Sequence, residues 1–462
     1  MRNLDAFFKP KSVAIIGASH EPQKIGHVIL KNFKESSSYK GKIFPINPDT
    51  KPILRLKTYA SVKDIPQKID LAIIAIPAKF VPKVLEECGQ AKVKAVTIIT
   101  GGFKEVGKDG EKLEKQLHEI ISKYKIPVVG PNCLGILDTG SGVDMLFLPP
   151  YRLGRPKKGP IAFISQSGAF GSAILDWSAQ EGFGVSKFIS YGNAVDVDEV
   201  DLLEYLGKDS QTKVISIYLE GANRAREFME VAKKVTRKKP VLIYKAGSSK
   251  VGTKAAQSHT GSLAGSQEIY SAAFKQSRVI QVETVEDMFD FARALSYQPL
   301  PKGNRIAIIT DGGGFGVLAA DHAEREGLEV VKPSPKTVKK IRNGTLPYAS
   351  LHNPIDLTGS ADGEMYRLAI EACMQDPKID GIVVILLFQP PNIDSDVIQH
   401  ILDLHSKYNK PLLVTSTGGA YTQLHRDILD QSGVPTFDTP SSAVRSMAAL
   451  YKYSQLKKSK LK

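Results

Sequence analysis

Ile161-Ala162-Phe163-Ile164-Ser165-Gln166-Ser167-Gly168-Ala169-Phe170-Gly171 passes from a β-branched, apolar run through a tight turn of small residues into a helix-like pattern. Ile306-Ala307-Ile308-Ile309-Thr310-Asp311-Gly312-Gly313-Gly314-Phe315-Gly316 matches it at six of eleven positions, 145 residues downstream. Ser12-Val13-Ala14-Ile15-Ile16-Gly17-Ala18-Ser19 has the same grammar. Each reads as strand, phosphate-sized loop, helix, and the degenerate repeat predicts two domains of similar construction after a first. Further apolar runs, Leu71–Ile76, Val214–Leu219 and Ile382–Leu387, alternate with amphipathic segments of helix length. Such alternation predicts an α/β fold whose parallel sheets are covered on both faces, with ligands bound beyond the carboxyl ends of the strands. Proline and glycine gather at Pro149–Pro156 and Gln298–Gly303, which places domains at 1–150, 151–298 and 299–462.

A chain of 462 residues is long enough for about three domains at roughly 150 residues each. Its longest purely apolar run, Ile382–Phe388, is far short of the ~20 residues that cross a bilayer, and Met1-Arg2-Asn3-Leu4-Asp5 has no secretory apolar region. A cytoplasmic protein without a membrane partner is expected. Cys88, Cys133 and Cys373 lie far apart, without metal-ligand spacing, which argues against a disulfide framework or a zinc site. The net charge of +14 is spread over scattered lysines, so a polyanionic small ligand such as a nucleotide or coenzyme A is expected rather than nucleic acid.

Gly17, Ser167-Gly168 and Gly312-Gly313 can each bring backbone N–H groups at a helix start close to a phosphate, although any strand-to-helix turn favours glycine on steric grounds. The first turn, Gly17 to Gly26, lacks the Gly-x-Gly-x-x-Gly spacing of a dinucleotide site, which makes a nicotinamide enzyme the lesser reading. Gly247 to Lys254 inverts the Lys-Ser/Thr order of a P-loop, and Ser165-Gln166-Ser167-Gly168 is no hydrolase nucleophile elbow. His259 lies in a loop of small residues after the strand-like run Pro240–Tyr244. It is either an idle surface imidazole or a ring free to carry a phosphoryl group between partners. The second role needs a carboxylate on the other ring nitrogen. Glu220, at the end of the run Ile215–Leu219, is the leading candidate, its alternative being a strand-terminal surface acid.

Taken in order, Ile15–Ser19, Val129-Gly130-Pro131-Asn132-Cys133-Leu134-Gly135, Ile164–Gly168, Tyr218-Leu219-Glu220-Gly221 and Ser258-His259-Thr260-Gly261 resemble the nucleoside-diphosphate-forming acyl-CoA synthetases. Within that superfamily the chain resembles the α subunits of ADP-forming acetate–CoA ligases, with a more distant likeness to succinyl-CoA synthetase. The resemblance implies a Rossmann-like CoA-binding domain followed by two flavodoxin-like domains. It implies that His259 is phosphorylated and oriented by Glu220, that Ser165, Gln166, Ser167 and Gly168 hold phosphate, and that Gly17, Ser19, Lys51, Ile99, Thr100 and Gly101 contact CoA. Asp311, Gly312 and Gly313, with the loop Phe388–Pro391, match the region near the phosphohistidine and the acyl group. Gln389-Pro390-Pro391 replaces glycines of succinyl-CoA synthetase, which argues against a dicarboxylate substrate.

The implied reaction is acyl-CoA + ADP + phosphate ⇌ acid + ATP + CoA, by way of an acyl phosphate and phosphohistidine. The family's ADP/ATP and Mg²⁺ site is an ATP-grasp module, for which no stretch remains. A separate β subunit, in an α2β2 assembly, is therefore expected. The rival reading is a non-catalytic CoA-sensing protein in which His259 is only a surface residue.

Overall fold

The computed structural model describes residues 2–247, 249, 251, 252 and 267–459. Its strands form three sheets, two within a compact unit spanning residues 1–281 and one within a unit spanning 282–462. The first sheet holds β1 (Ser12–Ile16), β2 (Lys42–Ile46), β3 (Leu71–Ile74), β4 (Ala95–Ile98) and β5 (Val128–Val129), all parallel, in the order β2-β1-β3-β4-β5. The second holds β6 (Gly135–Asp138), β7 (Val143–Asp144), β8 (Lys158–Ser165), β9 (Val185–Ser190), β10 (Val214–Leu219), β11 (Val241–Lys245) and β12 (Ile280–Val282), in the order β12-β11-β10-β8-β9-β6-β7. Strands β8 to β11 pair in parallel, whereas β6 and β7, which precede the Pro149–Pro156 segment, add to the β9 edge antiparallel.

In the second unit, β13 (Arg305–Thr310), β14 (Glu329–Val330), β15 (Ile355–Asp356), β16 (Gly381–Ile385), β17 (Leu412–Thr415) and β18 (Thr436–Phe437) form the third sheet. Its order is β14-β13-β16-β17-β18, with β15 also paired to β13. The α/β fold with parallel sheets expected from the sequence is present. Strands β1, β8 and β13 share one place: each is the first parallel strand of its sheet and sits where the strand order reverses, so the turn after each opens on a topological switch point.

The pattern of burial explains the continuous apolar strands. Val13 and Ile15 face one core and Ala14 and Ile16 the other, all at most 5% exposed, so both faces of β1 are covered. The core under Val13 and Ile15 runs on through Ile164, Ile189 and Leu219 of the second sheet, so the first two sheets share one hydrophobic core. Lys187 of β9 lies within it at 0% exposure, its ammonium 3.3 Å from Asp138 and 2.9 Å from Asp209. All three cysteines are free and buried. Among the described residues no helix is long and apolar enough to cross a membrane.

Candidate functional site

Between the carboxyl ends of the first two sheets lies a cleft of about 1230 Å³. Its first wall is the turn after β1. Gly17 holds φ +93°, and a Cβ there would stand 2.3 Å from the Ala75 carbonyl oxygen, so this turn admits no side chain. A Cβ on Gly26 would stand 2.0 Å from the carbonyl of Gly17, which lets the helix Ile25–Glu35 begin directly against the turn. The Ser19 carbonyl accepts from Nδ1 of His27 at 2.8 Å, and its hydroxyl accepts the N–H of Glu21 at 3.1 Å. Ile99, Thr100 and Gly101 follow β4, and the Thr100 hydroxyl donates to the Ile76 carbonyl at 2.7 Å. Gly17, Ser19, Ile99, Thr100 and Gly101 all line the cleft. Lys51 does not; it is exposed and paired with Asp49 at 3.4 Å.

The opposite wall is the turn after β8. Ser167 caps the helix Gly168–Gln180, its hydroxyl accepting the N–H of Phe170 at 3.3 Å, and the Ser165 hydroxyl donates to the Ser167 carbonyl at 2.6 Å. The start of this helix therefore faces the cleft through Gln166, Ser167 and Gly168, with the partial positive charge of the helix behind them. Oε1 of Gln166 accepts two N–H groups at once, Glu220 at 2.8 Å and Gly221 at 3.1 Å. The register that sets Tyr218 of β10 beside Ser165 of β8 brings these two strand ends together.

Glu220 is 5% exposed and lines the cleft. Behind it the buried Lys245 ammonium donates to the Glu220 carbonyl at 2.8 Å and to the Ala246 carbonyl at 2.6 Å. Burial pulls Lys245 below the ordinary lysine range, against the opposing influence of Glu220. Burial first, then Glu220, raises the Tyr218 phenol, whose ring stacks on Phe170 at 3.9 Å. His259, the expected phosphoryl carrier, lies outside the described residues.

A loop stitches the two walls together. The N–H of Tyr191 donates to Ser165 at 3.2 Å, while those of Asn193 and Val195 donate to Pro131 and Gly130 at 2.9 and 3.0 Å. Glu199 begins the helix that follows, capped by Asp198, and lines the cleft at 2% exposure. Nothing in the sequence marks it. The run Asp198-Glu199-Val200-Asp201 has the look of any acidic helix start, and Glu199's burial is a tertiary event with no local signal.

Gly312 and Gly313 lie in the second unit at the corresponding turn after β13, where the Thr310 hydroxyl accepts the Gly312 N–H at 2.9 Å and the helix Gly313–Arg325 begins. Their surroundings are acidic, since a Cβ on Gly313 would stand 2.7 Å from Oδ2 of Asp356. Asp311 is 4% exposed, accepts the N–H of Leu387 at 3.2 Å and is pushed up to about 6, chiefly by burial. Phe388 stacks on His425 at 4.4 Å.

Three family models match in succession: a CoA binding domain over residues 11–139, a succinyl-CoA ligase-like flavodoxin domain over 158–295 and a ligase-CoA domain over 306–459. The chain is 45% identical to the α subunit of acetate–CoA ligase [ADP-forming] I of Pyrococcus furiosus, over 98% of each chain. It is 42% identical to acetate–CoA ligase [ADP-forming] I of Archaeoglobus fulgidus, over 98% of its own length and 64% of that protein's. The dinucleotide-forming acetyl-coenzyme A synthetase 1 of Ca. Korarchaeum cryptofilum, solved with phosphate and ADP, superposes with a TM-score of 0.93. It is 39% identical, over 99% of this chain and 98% of that one. With relatives matched end to end and a CoA binding domain forming one wall of the cleft, the chain belongs to the family of ADP-forming acetate–CoA ligase α subunits.

Proposed function

We propose that the chain is the α subunit of an ADP-forming acyl-CoA synthetase, of the acetate–CoA ligase type. The observation that carries this reading is the joining of the turn after β1 and the turn after β8 in one cleft, so that a thioester held by the first can meet phosphate held by the second. Phosphate attacks the acyl carbonyl, giving acyl phosphate and CoA. His259 then takes the phosphoryl group and the acid leaves. Phosphohistidine finally passes the group to ADP, held with Mg²⁺ on a separate ATP-grasp β subunit in an α2β2 assembly. Gly17, Ser19, Ile99, Thr100 and Gly101 hold CoA, with Lys51 as a further contact. Ser165, Gln166, Ser167 and Gly168 hold phosphate, and Glu220 orients the histidine; Gly312 and Gly313 form a phosphate-binding turn within the second unit. The domains divide at 1–150, 151–298 and 299–462, and the reaction belongs to the cytoplasm. Each transfer exchanges one activated bond for another, so the buried floor of the cleft serves to exclude water.

The test is mass spectrometry of the peptide carrying His259 after incubation with acetyl-CoA and phosphate, with and without an ATP-grasp partner. An acid-labile phosphate on His259, with CoA thiol released in proportion, is expected. CoA binding without any phosphate would favour a CoA-sensing protein instead. H259A should abolish turnover and keep CoA affinity, and E220Q should lower the phosphohistidine yield.

A further inference from the structure

Four acids line the cleft: Glu21, Glu105, Glu199 and Glu220. Three are accounted for. Glu21 is exposed and paired with Lys24 at 3.7 Å. Glu105 accepts from Gly102, Phe103 and the Asn193 amide at 2.5, 3.1 and 2.6 Å, and these bonds outweigh its burial and hold it below the usual range. Glu220 is the orienting carboxylate. Glu199 is left, 2% exposed, with Oε1 accepting no hydrogen bond among the described residues. The Tyr191 hydroxyl faces it but is likewise buried without a hydrogen bond of ordinary geometry. A carboxyl so deeply buried persists only if it keeps a proton or meets a ligand.

We propose that Glu199 is the acid–base residue that moves the proton between attacking phosphate and leaving CoA thiol, a role that rests on the reaction proposed above. Hydrogenphosphate forms the new C–O bond, the C–S bond breaks, and its electron pair goes to sulfur. The Glu199 carboxylic acid gives its proton to that sulfur, and the carboxylate then takes the proton that the phosphate carried. The sum, HPO₄²⁻ + acyl-CoA → acyl phosphate²⁻ + CoA thiol, balances in hydrogen and charge and leaves Glu199 as it began. Its position suits the task, because the loop ahead of it is bonded to Gly130 and Pro131 on the CoA side and to Ser165 on the phosphate side. The groups facing it are Asp198 on its own cap, Tyr191 at the end of β9, Arg224 ahead of the helix Ala225–Val235 and, across Tyr191, Glu220 at the end of β10. Burial, then Asp198, pushes the Glu199 carboxyl up to about 7, with Tyr191 and Arg224 opposing, so it can both give and take a proton at neutral pH.

The experiment separates two half-reactions in the complex of this chain with its ATP-grasp partner. Release of CoA thiol from acetyl-CoA and phosphate needs the proton transfer; phosphorylation of His259 by acetyl phosphate does not. In E199Q the first should fall about a hundredfold and the second by less than about threefold. Equal losses in both, or no loss in the first, would overturn the assignment. The wild-type protein gives a second readout, independent of how E199Q folds: with the ionisation of inorganic phosphate itself allowed for, CoA release should carry a further ionisation near 7 that the acetyl phosphate reaction lacks. The same ionisation in both reactions, or in neither, would also overturn it. Wild-type protein that is never phosphorylated by acetyl phosphate would instead sink the phosphohistidine reading, and this assignment with it.

Discussion

The carboxamide oxygen of Gln166 accepts the N–H of Glu220 at 2.8 Å as well as that of Gly221, so the turn after β8 and the acid at the end of β10 are held as one piece. Removing that oxygen strands two N–H groups. Q166L should cost about 1–3 kcal/mol of stability, read by urea denaturation. Its phosphohistidine yield should fall further than its stability does, because Glu220 is released as well. A variant of wild-type stability would show that water replaces the amide.

The Gly17 turn allows an equally direct test. G17A places a Cβ against the Ala75 carbonyl at φ +93°, a conformation that costs a non-glycine residue about 1–3 kcal/mol before any clash is relieved. CoA affinity, measured by calorimetric titration, should drop at least about tenfold, a loss of roughly 1.4 kcal/mol. S19A, which removes only a hydroxyl, should lose less.

Glu199 predicts a pH dependence of stability with a definite sign. Its carboxyl is raised from the ordinary 4.5 to about 7 in the folded chain, so the folded state holds more protons than the unfolded state across that interval. Stability must therefore fall as pH rises from about 4.5 to 7, by at most roughly 3 kcal/mol. E199Q should remove this slope and melt higher than wild type at pH 8, with little difference at pH 4. Parallel melting curves for the two proteins at both pH values would contradict this.

Lys187 is a fully buried charge of the second sheet. K187M leaves Asp138 and Asp209 facing each other without their cation and should cost about 3–5 kcal/mol. Asp209 is held below the ordinary range because hydrogen bonds from Thr212 and Lys187 outweigh its burial. Its stabilising contribution is therefore present at neutral pH and lost as pH falls through its folded value. The K187M protein should show a shallower acid limb in thermal melts.

How much of this was legible in the sequence depended on the range of the forces involved. Strands β1, β8 and β13 announce themselves because both their faces are buried, which forces unbroken apolar runs such as Ile306–Ile309. The turns that follow are legible because Gly17 has no alternative. Strands β6 and β7 are not: Gly135–Asp138 and Val143–Asp144 are short, and only the edge of β9 makes them strands. Lys51 enters through resemblance alone, whereas Glu199 has an ordinary sequence setting and a deeply buried environment. The difference lies in the fold of the loop Tyr191–Asp198, which no local pattern encodes.

The pairing of β6 with β9 carries the second sheet across the proline-rich segment. Residues 135–144 complete the second sheet although they lie upstream of the proline-rich segment. A polypeptide cut at residue 150 would thus leave β9 with an open edge of unsatisfied N–H and carbonyl groups, an invitation to aggregation. The second sheet therefore needs residues from both sides of the proline-rich segment in one polypeptide.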